Sequence, residues 1–459
     1  MDYKKLGFKC GLEIHRQMDT QKLFCNCPSL VNDTNKPDII VKRRLRTVAS
    51  ELGEVDKAAE YEKIKDKEFI YEGCSSSSCL IELDEQPPKE INKEALQTAL
   101  MVCLMLNAKF VDEIQIMRKI VIDGSNPTGF QRTMLMGYGG VIKTSKGDIR
   151  IDTICLEEEA AKKIKEDEKS VIYRLDRLGV PLIEIATDAS IKDNEHAKEV
   201  AELIGMVLKS TGKFKSGLGS IRQDINISIN NGARVEVKGF QELRQIPKAV
   251  EAEVERQLKE KTEPHVRYIN KDLGSKYLRP MPGAQRMYPE TDIEPIDVTK
   301  DMLKIKLPEL LTNKINEISR EYGITNYLAE EILNNGFEKY FNNKLEPKLI
   351  ANILIEVPKE IKSRFNIDVK EENIKKILEY LEKNLISKDA VIDALVNLEK
   401  NKFDLNNYKK ADVRDIEKEI KKIKEGNKDL SANALMGIIM KKYKGKIDGK
   451  KVFEILNSK

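Results

Sequence analysis

At 459 residues the chain exceeds what a single hydrophobic core serves, so two or three domains are expected. Its composition, 40% hydrophobic and 34% charged, is that of a soluble protein, and no apolar run approaches the ~20 residues of a membrane span. The net charge of +4 is unevenly spread: residues 408–459 carry fifteen Lys and Arg against eight Asp and Glu, which suits either a polyanion contact or a solvated lysine-rich helix surface.

The N-terminal stretch MDYKKLGFKCGLEIH has no signal-peptide core, so a cytoplasmic location is expected. From Lys9 to His15 alternation places Glu13 and His15 on one strand face and Leu12 and Ile14 on the other. One of only three histidines, beside a carboxylate, is a candidate metal ligand; the alternative is an ordinary structural histidine. Cys25 and Cys27, followed by Cys74 and Cys79, offer four thiolates for a structural zinc or, given their unusual spacings, are four unrelated reduced thiols. Residues 91–106 read as an apolar helix with Asn92 as its cap.

Next, Arg118 and Lys119 lie on a strand that runs into a turn rich in Asp, Gly, Ser, Asn and Pro, an arrangement that can hold phosphate. It does not match a Walker A loop. Three consecutive carboxylates follow, Glu157, Glu158 and Glu159, and then Glu184 between Ile183 and Ile185. A buried bare carboxylate costs several kcal/mol, so Glu184 needs a cation, a hydrogen-bond set or a metal, unless it faces solvent on an edge strand. Between Gly217 and Ile229, Arg222, Asp224, Asn226 and Ser228 share one face, opposite Ile221, Ile225, Ile227 and Ile229. Asn230, Asn231 and Gly232 signal a hairpin whose return strand adds Arg234, Glu236 and Lys238. So many charges on one face point to handling of metal and phosphate rather than to a plain solvated sheet.

Residues 259–276 read as a polar connector, and 279–292 as an ordered loop, since the prolines at 280, 282, 289 and 295 exclude a long helix. Beyond residue 301 the periodicity is helical. Ile374, Ile377, Leu378, Leu381 and Leu385 form a core stripe, and Ser387 is placed to cap a helix over 390–398.

The segments GLEIH, KLFC, DGSN, GFQRT, CLEEEA, YRLDRLGVPLIEIAT, GLGSIRQDINISI, RVEVKGFQEL and RPMPGAQRMYPETD, in this order, closely resemble the E subunits of the archaeal glutamyl-tRNA(Gln) amidotransferases, relatives of the bacterial B subunit. The resemblance implies an α+β protein: a cradle-shaped mixed α/β catalytic domain over 1–300, an all-α domain over 301–400 and a small tRNA-contacting helical tail over 401–459. The synthetase-like domain such proteins carry as an insert is missing near 259–276. The resemblance further implies ATP- and Mg²⁺-dependent phosphorylation of the glutamate on mischarged Glu-tRNA(Gln), then amidation by ammonia. An asparaginase-like partner, the D subunit of such enzymes, would supply that ammonia in a heterodimer or a dimer of heterodimers. On this pattern His15, Glu158 and Glu184 are the Mg²⁺ ligands, with Glu157 as the alternate. Lys119 and Arg222 meet phosphate, with Gly219 and Ser220 beside the nucleotide. Glu13, Asp224, Glu236 and Lys238 complete the catalytic set, and Cys25, Cys27, Cys74 and Cys79 mark a possible Zn²⁺ site. The competing readings are a bacterial-type B subunit acting on Glu-tRNA(Gln) or Asp-tRNA(Asn), and a non-catalytic RNA-binding relative.

Overall fold

The structure, a computed structural model, describes residues 1–30, 36–44, 64, 66–121, 123–217, 219–270, 274–281 and 287–408, with isolated positions from 420 to 453. Most of the expected basic tail, including the GKIDG segment at 445–449, lies outside the described residues. The chain divides into two compact units, residues 1–311 and 312–459.

The first unit is a mixed α/β body. Its strands are β1 (Lys9–Gln17), β2 (Ile39–Arg44), β3 (Glu68–Gly73), β4 (Lys109–Phe110), β5 (Glu113–Ile114), β6 (Met117–Ile120), β7 (Phe130–Thr144), β8 (Gly147–Glu158) and β9 (Lys162–Glu166). There follow β10 (Ser170–Arg174), β11 (Pro181–Thr187), β12 (Ile221–Ser228), β13 (Val235–Phe240), β14 (His265–Ile269), β15 (Ser275–Pro280), β16 (Met287–Pro289) and β17 (Ile296–Asp297). The main sheet runs in the order β15-β14-β13-β12-β1-β11-β8-β7-β6-β16, with β4 paired to β7. A second sheet runs β2-β3-β10-β9, and β17 pairs with β5.

Three helices, α1 (Lys93–Met105), α2 (Asn194–Ser210) and α3 (Ile246–Lys259), pack on the main sheet. Alternation in β1 sends Cys10, Leu12 and Ile14 into this core, where each is at most 1% exposed, and turns Glu13 and His15 to the other face. Burying one such Ile or Leu contributes roughly 1.5–3 kcal/mol. Asn92 caps α1 as the sequence suggests, its Oδ1 accepting from Ala95 N at 3.1 Å. Asp193 does the same for α2, accepting from His196 N at 2.9 Å. The hairpin at Asn230–Gly232 forms, with Asn231 at φ 63°.

Two stretches depart from expectation. The supposed connector at 259–276 contains β14, which pairs in parallel with β13 and antiparallel with β15. The proline-bearing segment is not all loop, since Arg279 and Pro280 end β15 and residues 287–289 form β16 against β6. Prolines are tolerated there because both strands lie at the ends of the sheet order.

In the second unit every described element is helical: α4 (Leu311–Tyr322, entering from the boundary), α5 (Asn326–Asn335), α6 (Pro347–Ala351), α7 (Val357–Phe365), α8 (Glu371–Glu382) and α9 (Val391–Glu399). A π-helical turn over Asn352–Glu356 joins α6 to α7 just ahead of Pro358, whose missing N–H breaks the regular ladder. Ile374, Ile377, Leu378 and Leu381 are buried on α8, while Leu385 lies past its end. Ser387 stands at the N-cap of a 3₁₀ turn, Lys388–Ala390, that leads into α9.

Candidate active site

The face of the main sheet turned away from α1–α3 floors a cleft of about 1210 Å³. Strand pairing puts its polar groups in rows. His15 stands opposite Glu184 on β11 and Arg222 on β12, and Glu13 stands opposite Asp224 on β12. Glu184 is therefore on an interior strand and not at an edge.

His15 Nε2 lies 3.1 Å from Glu184 Oε2, and its buried Nδ1 has no hydrogen-bond partner among the described residues. Lys119, on β6, pairs with Glu157 and lies 3.6 Å from Glu184. Glu157 also accepts from Thr133 Oγ1 at 2.6 Å and from Gln131 Nε2 at 3.0 Å. Burial works against the Glu184 anion, but Lys119 and His15 outweigh it and hold the carboxyl well below its usual range. Burial, and then repulsion from Glu184, push Glu157 the other way.

The ligand atoms of His15, Glu157 and Glu184 lie within 4.8 Å of one another, as do those of Glu13, His15 and Asp224. Carboxylate oxygens suit Mg²⁺, and the imidazole adds a nitrogen donor beside Glu184, so the residues fit a divalent cation. The structure corrects the expected ligand set. Glu158, expected as a ligand, faces the other side, where its Oε2 accepts from Arg132 N at 3.0 Å. Glu157 and Glu158 are neighbours on β8, and consecutive strand side chains point to opposite faces.

Arg222, expected at phosphate, makes a fork to Glu159 at 2.8 and 2.9 Å. Burial alone would raise the Glu159 carboxyl, but Arg222 and Arg177 hold it at about 2. Lys238 pairs with Asp224 at 2.7 Å and with Glu236, and Asn226 donates to Glu13 at 3.0 Å. Burial, and then Glu236, raise the Glu13 carboxyl. Gly219 and Ser220 do not line the cleft, and Ser220 Oγ instead closes its own turn onto Gly217 O at 2.7 Å. Leu218, just before them, lies outside the described residues.

The four-cysteine set is also revised. Cys25, Cys27 and Cys79 gather with Glu82, their ligand atoms within 4.8 Å of one another. Cys74 is turned instead toward Lys36 O and Arg174 Nη1, each 3.9 Å from its sulfur. Three thiols and a carboxylate suit zinc by donor type. Lys22 Nζ pairs with Glu82 at 2.7 Å, while burial and Glu82 push the Cys79 thiol up to about 12.

Reasoning from sequence missed Gln131, Thr133, Glu159 and Glu82. The first three lie within or beside motif segments, and Glu159 in the run of three carboxylates was a usable signal. Nothing local marked Glu82. Neither other histidine resembles a catalytic base: buried His196 contacts Thr144 Oγ1 at 2.8 Å, and His265 contacts Glu263 O at 2.6 Å.

Residues 8–304 match the family model described as the GatB/GatE catalytic domain. Full-length similarity extends to the glutamyl-tRNA(Gln) amidotransferase E subunit of Archaeoglobus fulgidus, 34% identical over 99% of this chain and 98% of the relative. The counterparts of the same name from Pyrobaculum islandicum (35%; 98% of each chain) and Methanocaldococcus jannaschii (34%; 100% of this chain, 99% of the relative) are similar to the same degree. The first alignment spans 608 positions against 459 residues, leaving at least 149 positions of that relative without a counterpart. Motif order, the carboxylate-lined cleft and similarity along nearly the whole chain agree: this is an amidotransferase chain that belongs to the GatB/GatE family, on its GatE side.

Proposed function

We propose that the cleft phosphorylates the γ-carboxylate of glutamate carried on tRNA(Gln), using ATP, and then amidates it with ammonia to give Gln-tRNA(Gln). The observation that carries this reading is the cluster of His15, Glu157 and Glu184 beside Lys119, on a sheet face that also holds Asp224, Glu236 and Lys238.

A carboxylate is a poor electrophile because its leaving group would be oxide. Transfer of the terminal phosphoryl of ATP to a γ-carboxylate oxygen, releasing ADP, supplies phosphate as the leaving group. Ammonia then attacks the acyl carbon, the C–O bond to phosphate breaks, and the nitrogen sheds a proton. His15, Glu157 and Glu184 would hold Mg²⁺, which when bound supplies positive charge against the phosphates. Lys119 adds a fixed cation beside that set, and Thr133 and Gln131 orient Glu157. The Glu159–Arg222 fork keeps a guanidinium at the cleft floor. Asp224 and Glu236, joined through Lys238, would accept the proton from nitrogen.

Ammonia would come from an asparaginase-like partner, the D-type subunit, since no described cysteine here contacts a histidine that could activate it. Zn²⁺ would sit on Cys25, Cys27, Cys79 and Glu82 and tie the exit of β1 to the segment before α1. The positions missing relative to the longer relatives would be the family's inserted domain, leaving tRNA selection to the cleft and the helical unit.

The test is ATP-dependent formation of Gln-tRNA(Gln) from Glu-tRNA(Gln) with ammonium as donor. Wild type should turn over, and Glu184→Gln should lose about 10²–10³ in rate, the scale for removing one electrostatic group at a reacting centre. Unchanged turnover in Glu184→Gln would overturn the assignment.

A further inference from the structure

The cations of the cleft are not equally available. Lys119 is held by Glu157 and Glu184, Arg222 by Glu159, and Lys238 by Asp224 and Glu236. Lys67 and Lys163 share Glu166. At the β13–β15 end the pattern stops. Arg234 and Arg279 line the cleft, and among the described residues neither meets a carboxylate. Among the described residues Arg234 Nη2 contacts the Met281 sulfur, at 3.4 Å, and Arg279 Nε is buried with no hydrogen-bond partner.

Tyr268 lines the same end and is 52% exposed. It stands opposite Lys238 in the β13–β14 pairing, and its ring lies on the backbone of Gly239. A Cβ on Gly239 would come within 2.6 Å of Tyr268 Cε2, and Gly239 has φ +99°, so bare backbone is what lets the ring lie there. Leu278, also exposed, and Met281 add apolar surface beside it.

An open aromatic face next to two uncommitted guanidiniums is recognition chemistry for a nucleobase joined to phosphate. The ring stacks on the base, and the planar forks pair with phosphate oxygens. At about 4.8 Å per strand, β14 lies four strands from β11, so Tyr268 and Glu184 stand roughly 19 Å apart measured across the strands. An extended nucleotide, or the 3′ end of an RNA with its aminoacyl group, fits within that reach.

We infer that this end of the cleft is an adenosine platform, with Tyr268 stacking on the adenine and Arg234 and Arg279 on its phosphates. The inference rests on the proposed function, in which both ATP and the 3′ terminus of the tRNA carry adenosine. The experiment has an arm for each. Binding of ATP–Mg and of an RNA minihelix ending in CCA, alongside the same RNA without its terminal adenosine, is measured for the full chain with its asparaginase-like partner.

Tyr268→Ala should weaken one ligand roughly 5- to 150-fold, and Tyr268→Phe should bind as wild type does. If the minihelix is the ligand, Tyr268→Ala loses the preference for the terminal adenosine while ATP binds normally. If ATP is the ligand, the reverse holds. Arg279→Gln should flatten the salt dependence of the same ligand. Tyr268→Ala that binds both ligands with wild-type affinity overturns the platform alone. A wild-type chain that binds neither removes the proposed function, and the platform with it.

Discussion

Glu157 meets Lys119, Thr133 and Gln131 in the cleft, while Glu158, one residue on, meets Arg132 on the far face. Glu157→Gln should therefore lower amidation by about 10²-fold or more with little loss of stability. Glu158→Gln should retain most activity and lower the unfolding temperature, because it weakens a buried ion pair. Paired rate assays and thermal melts separate the two, and equal rate losses would return Glu158 to the site. Glu159 gives a pH test. Its folded carboxyl titrates at about 2 against an ordinary 4.5, so its stabilisation is complete above 4.5 and is lost as pH falls toward 2. The shift corresponds to about 3 kcal/mol. Urea unfolding should show Glu159→Gln less stable by that order at pH 7, with the gap closing in acid. A gap that persists at pH 2.5 would mean that the Arg222 fork is not its source.

At the level of elements, β7 shows how closely the layers meet. A Cβ on Gly140 would lie 2.8 Å from Leu106 O, at the end of α1, and backbone cannot step aside as a flexible side chain can. Gly140→Ala should cost about 1–3 kcal/mol, read as a lower melting temperature, and a neutral result would show that α1 can slide on the sheet. Strand faces were legible wherever alternation was uninterrupted, as in Glu13 and His15 on β1 or Arg222 and Asp224 on β12, because period two alone assigns them. Three consecutive glutamates defeat that logic. Which of them faces the cleft depends on the register of β8 against β11, set by partners far along the chain. The Arg222–Glu159 fork joins residues 63 apart, and Glu82 replaces Cys74 through the folding of a loop, so neither left a local pattern. β14 was read as connector because His265, Arg267 and Tyr268 make a short strand look polar.

For the whole molecule, the main sheet runs without a break from β15 to β16, so the cleft floor is graduated like a rule at about 4.8 Å per strand. Tyr268, Lys238, Asp224, His15, Glu184, Glu157 and Lys119 are marks on that rule, each on its own strand. Such a scale cannot be nudged: a slip of one residue turns every side chain of a strand to the other face. A substrate anchored at one mark must therefore bring its carboxyl to another by its own length. An aspartyl group is one methylene shorter than a glutamyl group, a deficit of about 1.5 Å, and a 1 Å misplacement can cost about 10² in rate. The cleft should therefore amidate Glu-tRNA about 10²-fold faster than Asp-tRNA on the same tRNA body. Equal rates in a side-by-side turnover assay would show that the floor yields. Discrimination by gauge needs no side chain that reads the difference, and in this shorter chain it would act whatever else selects the tRNA.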